Sequence, residues 1–151
     1  MFEYVGIPKI EKPVFAHFEI VEITKDTSPE ELFEDQIVVI RYTGSDSLNA
    51  ENLEVILKIY RNNALIKSCR LCGFPWKITT ALPNESVYGD QIIDMSTIHY
   101  SDFILCDKTL KSGKSFGFRI KKEELTLKRG DIIEVTVVYK GSVVSKSSKT
   151  Y

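Results

Sequence analysis

Apolar and polar residues alternate with a period of two along most of this chain. Leu53-Glu-Val-Ile-Leu-Lys-Ile-Tyr60 sets Leu53, Val55, Leu57 and Ile59 against Glu54, Ile56, Lys58 and Tyr60. Successive side chains of a strand point to opposite faces, so this is the pattern of a half-buried β-strand. Asp131–Tyr139 repeats it, with Ile133, Val135, Val137 and Tyr139 on one face. Ser115–Ile120 gathers Phe116, Phe118 and Ile120, and Val14–Ile23 offers Phe15, Phe18 and Ile20 for burial. Gln36–Thr43 is dense in β-branched residues, which suit a pleated surface. Ala64–Lys67, Trp76–Ala81, Asp102–Asp107 and Ser142–Ser148 are further strand-length runs.

Turn chemistry joins these runs. Asn tolerates positive φ, so Arg61-Asn62-Asn63 predicts a tight turn into Ala64–Lys67, and Lys140-Gly141 predicts another into Ser142–Ser148. Helical signal is thin. Ser28-Pro29-Glu30-Glu31-Leu32-Phe33 has a Ser cap, a Pro at the first position and acids in the first turn. Lys121–Leu125 is a second candidate turn, and neither is long enough to pack as a helical layer. Leu82–Tyr100, with Pro83, Asn84, Gly89, Asp90 and Ser96, reads as a long loop holding at most one short strand. The expectation is one domain over residues 1–151, with 1–12 as an extended arm. Its fold is all-β: an immunoglobulin-like antiparallel β-sandwich of eight or nine strands. Phe33, Ile40, Leu57, Trp76, Phe103, Phe118, Val135 and Val137 are the expected core.

Composition narrows the function. The 151 residues suffice for a real core, and 20 Lys+Arg against 21 Asp+Glu argue against a nucleic-acid partner. No run approaches the roughly 18 apolar residues of a membrane span. Met1–Gly6 lacks the basic and apolar regions of a signal peptide. The chain is therefore expected to be cytoplasmic, or else the extracytoplasmic part of a protein whose membrane helix is absent from this sequence. Lys108, Lys111, Lys114, Lys121, Lys122, Lys128 and Arg129 concentrate positive charge late in the chain, while Glu3 to Asp35 is acidic. An ordinary solvated surface accounts for this, and a dipolar docking surface is the sharper alternative. Ser142–Tyr151 reads as an edge strand whose lysines guard against promiscuous pairing.

Candidate chemistry is sparse. Cys69-Arg70-Leu71-Cys72 lacks the second pair of a zinc ribbon and the strand-to-helix setting of a redox motif. Cys69, Cys72 and Cys106 are candidates for a structural disulfide of undecided pairing, or for free thiols. His99-Tyr100-Ser101-Asp102 has residue types for acid–base work, but strand geometry sends neighbours to opposite faces. His17 lies mid-strand. No catalytic, cofactor or metal residue is expected, and the chain is read as a non-enzyme. Asn84-Glu85-Ser86 is a glycosylation sequon in the long loop. Phe74, Trp76, Tyr88 and Tyr100 are candidate contacts for a sugar or protein, and Trp76 equally suits the core of a sandwich.

Three stretches carry a family resemblance. Gln36–Leu48, containing Tyr42-Thr43-Gly44-Ser45-Asp46-Ser47, followed by Asn52-Leu53-Glu54-Val55, resembles the archaeal type IV pilin and archaellin-like pattern. There a strand ends in a His-Thr-Gly-Gly-Asp-Ser type turn before an Asp-Leu-x-Val strand. Tyr42 stands in place of the His and Ser45 in place of the second Gly. Leu110–Gly113 and Leu127–Val138, with Gly130-Asp131 opening a Val-Thr-Val-Val strand, resemble the family's closing hairpin, and Phe15–Phe18 fits its first strand. The filament-building N-terminal helix is missing from this sequence. The resemblance is closest in kind to the envelope-anchoring stator proteins of the archaellum, which join one membrane helix to an extracytoplasmic sandwich. It implies a protein-binding module whose partners are an envelope or surface-layer protein, sister appendage subunits, or a second copy. A pilin-like filament subunit lacking its helix is the alternative, and a viral or intracellular structural sandwich is the reading outside that family.

Overall fold

The computed structural model describes residues 17–24, 36–77, 81–96 and 104–151, with the main chain alone at Asn84. The strands of these residues, in chain order, are β1 (Phe18–Ile23), β2 (Ile37–Tyr42), β3 (Leu48–Asn49), β4 (Leu53–Arg61) and β5 (Ala64–Leu71). They continue with β6 (Val87–Gly89), β7 (Thr109–Leu110), β8 (Ser115–Arg119), β9 (Ile132–Tyr139) and β10 (Ser142–Thr150). One sheet has the order β1-β2-β8, a second β10-β9-β4-β5-β6, and β3 pairs with β7 as a miniature third. Every ladder is antiparallel.

This is the immunoglobulin-like order. β1, β2 and β8 correspond to strands A, B and E, and β10, β9, β4 and β5 to G, F, C and C′, with β6 added as a fifth strand at that sheet's edge. Strand D is reduced to a bridge between Ile93 and Ile120. Asp94 N–H donates to Arg119 O at 2.8 Å, and Lys121 N–H donates to Ile92 O at 2.7 Å. The Arg119 guanidinium then meets the Asp94 carboxylate at 2.8 Å, both buried.

Burial explains the two kinds of strand. β4 and β9 alternate because the second sheet has one solvated face. In β2, Ile37 to Ile40 form an unbroken apolar run because both faces of the smaller sheet are covered at this central strand. Gly117 of β8 lies so near β2 that a Cβ there would sit 2.6 Å from Val38 O. The core is chained by rings: Tyr42 to Phe18 at 4.9 Å, Phe18 to Phe116 at 6.5 Å, Phe116 to Phe74 at 6.1 Å. Phe74 in turn stacks on Trp76 at 4.8 Å.

The expected hairpin turns form. Asn62 and Asn63 take φ of 53° and 65°, and Lys140 and Gly141 take 50° and 80°. Lys121–Leu125 closes one helical turn through Leu125 N–H to Lys121 O at 2.9 Å. Ile40, Leu57, Trp76, Phe118, Val135 and Val137 are buried as expected. Phe15, Phe33, Phe103, the arm 1–12, the turn at Ser28–Phe33 and His99–Asp102 lie outside the described residues.

The strand count differs from eight or nine: ten strands form among the described residues. β3, β6 and β7 are too short to show a period. The described parts of Trp76–Ala81 and Asp102–Asp107 are not strands. Trp76 N–H donates to Leu105 O at 2.7 Å, and Trp76, Leu82, Ile104 and Leu105 are buried. Those apolar runs supply core side chains without joining a named ladder.

Candidate functional site

The solvated face of the second sheet is built row by row from its register. One row, Lys146, Thr136, Ile56, Arg70 and Tyr88, crosses all five strands. The next holds Ser148, Glu134, Lys58 and Ser68, and the one beyond it Thr150, Ile132, Tyr60 and Leu65. On the other side of the first row lie Val143, Val138 and Glu54. Alternation puts these side chains opposite the core-facing Leu53, Val55, Leu57 and Ile59.

The chemistry of this face is mixed. Leu65, Tyr88, Ile132 and Val143 are exposed, with Val143 at 65 %. Ile56, Tyr60 and Val138 are half-buried. Its charges pair across strands: Arg70 with Glu54 at 3.6 Å, Lys146 with Glu134 at 3.7 Å. The Arg70 guanidinium also lies over the Tyr88 ring, 4.9 Å from its centre. The favourable term on this face is burial of its apolar side chains, while a protein covering the partly solvated ion pairs must desolvate them and is favoured only where it hydrogen-bonds them in turn.

β10 borders this face. Its ladder runs along β9, and Lys146, Ser148, Lys149 and Thr150 are exposed. Its start is sewn to β1: Phe18 N–H donates to Ser145 Oγ at 3.0 Å, and that hydroxyl donates to Phe18 O at 3.1 Å.

The structure does not assemble the aromatic candidates into one surface. Phe74 and Trp76 are buried and stacked on each other, and the Trp76 indole N–H donates to Cys72 O at 2.8 Å. They are core side chains, because Phe74 packs edge-on against Phe116 of β8 at 6.1 Å and the Trp76 main chain is bonded to Leu105 O. Tyr88 alone is exposed, and Tyr100 lies outside the described residues. Asn84 falls in a short 3-10 turn, Asn84–Ser86, leading into β6.

The three cysteines are free thiols. Cys69 is buried, Cys72 half-buried and Cys106 exposed. Burial, with some help from Asp90, pushes the Cys69 thiol up to about 12. Burial also raises Cys72, whose thiol contacts Glu85 O at 3.3 Å. Among the described residues no group of three or more His, Cys, Asp and Glu is placed to hold a metal ion. None of their helices is long and apolar enough to cross a membrane. The sheet face was hidden from residue-by-residue reading because it depends on register, and only the alternation in β4 and β9 pointed to it. Compared with protein-family models and with curated proteins, the chain matches none.

Proposed function

We propose that this chain is a non-enzymatic protein-binding module that docks its partner on the solvated face of the second sheet. The observation that carries this is the composition of that face. Leu65, Tyr60 and Ile132 form one row, Ile56, Val138 and Val143 lie on the far side of Glu134 and Lys58, and Arg70–Glu54 and Lys146–Glu134 pair across strands. Scattered exposed apolar residues need no explanation, but Ile132, Tyr60 and Leu65 stand side by side on three adjacent strands, and such a row supports an interaction surface. The resemblance to archaellum stator proteins supplies the setting. In that setting the module is extracytoplasmic and anchors a motor or filament to an envelope or surface-layer protein.

The test is capture from a detergent extract of the source cells' envelope, beside a soluble extract. Tyr60→Glu and Ile132→Glu point away from the core and leave the fold intact. The wild type is expected to retain an envelope protein that both variants lose. Capture unchanged by both variants overturns the sheet-face assignment. A partner found only in the soluble extract overturns the envelope setting. Self-assembly into polymers favours the filament or structural-protein alternatives.

A further inference from the structure

The geometry points to a second binding site, at the end of the sandwich built around β3 and β7, for an acidic saccharide. It is separate from the sheet face and does not depend on the function proposed above.

The miniature sheet creates the site. Leu48 pairs with Leu110 and Asn49 with Thr109. The two leucines are buried, which turns Asn49 and Thr109 outward side by side. Lys108 and Lys111 flank this pair, and Lys114 follows at the end of the turn. The main chain at each lysine is pinned. Lys108 O accepts from Ala50 N–H at 2.8 Å, Lys111 O from Lys114 N–H at 3.0 Å, and Lys114 O from Tyr42 N–H at 2.9 Å. The three lysines with Asp107 and Thr109 line a hollow of about 470 Å³.

Three lysines therefore line one concavity on a fixed backbone. Among the described residues the only carboxylate lining it is Asp107, 3.4 Å from Lys114 with both side chains largely in water. Such a pair relieves little of the repulsion. An anionic group seated among the lysines relieves it, and the pinned backbone lowers the ordering cost of binding.

The adjoining hollow selects the kind of anion. It has about 520 Å³, shares Lys108 and Thr109, and adds Ser47, Asn49, Pro75 and Tyr139. Both volumes fall in the range of small-ligand sites, ~300–1,000 Å³. Hydroxyl and amide groups both donate and accept, as sugar hydroxyls do. Pro75 offers an apolar ring against which the C–H face of a sugar can lie. Glu51 sits at this end, its carboxylate accepting from Asn49 Nδ2 at 3.2 Å. The negative group is thereby directed to the lysine hollow and the neutral ring to the other. The shared chemistry is a sugar bearing a carboxylate or a sulfate.

Calorimetric titration of the purified full chain tests this. The probes are an oligogalacturonate, a heparin hexasaccharide, a neutral dextran oligomer, tripolyphosphate and oligoglutamate. One of the two acidic saccharides is expected to bind at least about tenfold more tightly than each of the other three probes. Tighter binding of the oligogalacturonate assigns the anion to a carboxylate, and tighter binding of heparin, which also carries carboxylates, assigns the gain to its sulfates. Lys108→Gln with Lys111→Gln is expected to weaken it at least about tenfold, while Lys58→Gln on the sheet face changes nothing. Thr109→Val with Ser47→Ala is expected to weaken the saccharide but not tripolyphosphate. Ser47, Lys108, Thr109 and Lys111 are exposed and Lys58 is half-buried on the solvated face, so thermal unfolding should match wild type. No binding of either acidic saccharide overturns the proposal. So does equal binding of oligoglutamate or tripolyphosphate, or binding that survives the double lysine variant.

Discussion

Ser145 holds Phe18 by both of its main-chain groups, accepting from the N–H at 3.0 Å and donating to the C=O at 3.1 Å. One hydroxyl thus stands in for a pair of ladder hydrogen bonds between β1 and β10. It is placed by the bulge between Val143 and Ser145, which turns Ser145 inward. Ser145→Ala leaves a buried donor and acceptor unpaired, at a cost of about 1–3 kcal/mol. Urea unfolding of the variant measures this. A loss within about 0.5 kcal/mol would show that water replaces the hydroxyl.

Gln36 performs a similar role at the opposite end of β8. It is buried at φ 59°, and its amide donates to Ile120 O at 3.1 Å and Leu125 O at 2.9 Å. Its carbonyl accepts from Leu127 N–H at 2.7 Å, so one side chain satisfies three main-chain groups of the segment after β8. Gln36→Asn suits the positive φ but is one methylene too short to span these partners. Asn and Ala are both expected to cost at least about 2 kcal/mol in urea unfolding. Near-wild-type stability for Asn alone would assign the effect to the backbone instead.

These two residues mark where the sequence stops being legible. Leu53–Tyr60, Asp131–Tyr139 and both hairpin turns were readable because alternation and turn chemistry are local signals. Ser145 and Gln36 act across 127 and 84–91 residues of chain, and nothing beside them in the sequence announces a partner. The strand-like runs around Trp76 and Ile104 misled for a related reason. Burial makes a segment apolar whether or not it joins a ladder. Phe74 and Trp76 have the residue types of a contact surface, and Trp76 equally those of a core; the fold buries both. The lysines near β7 were visible as charge, but their convergence needed β3, sixty residues earlier.

Asp131 and Arg61 predict an acid-sensitive contact. The guanidinium donates from Nε at 2.9 Å and from Nη2 at 2.8 Å, pinning the start of β9 to the end of β4. These hydrogen bonds hold the Asp131 carboxyl below its ordinary value of 3.8, against burial, with help from the Lys128 N–H. A carboxylate lowered by folding contributes stability above its unfolded value and loses it as pH falls through the folded one. Asp131→Asn should therefore be less stable than wild type at about pH 7, with the gap narrowing toward about pH 3. A gap unchanged by pH would show that packing, rather than charge, carries the contact.

The three thiols should separate by reactivity. The thiolate is the attacking species, so access and burial set the order. Cys106 is exposed, Cys72 is half-buried with its thiol raised, and Cys69 is buried and pushed up to about 12. With iodoacetamide at about pH 8, Cys106 should label first, Cys72 more slowly, and Cys69 only as the protein unfolds. Peptide mass mapping over time reads the order directly, and urea should accelerate Cys69 far more than Cys106. Labelling of Cys69 at the rate of Cys106 in native buffer would mean that β5 opens readily. That result would count against the rigid second sheet on which the docking face depends.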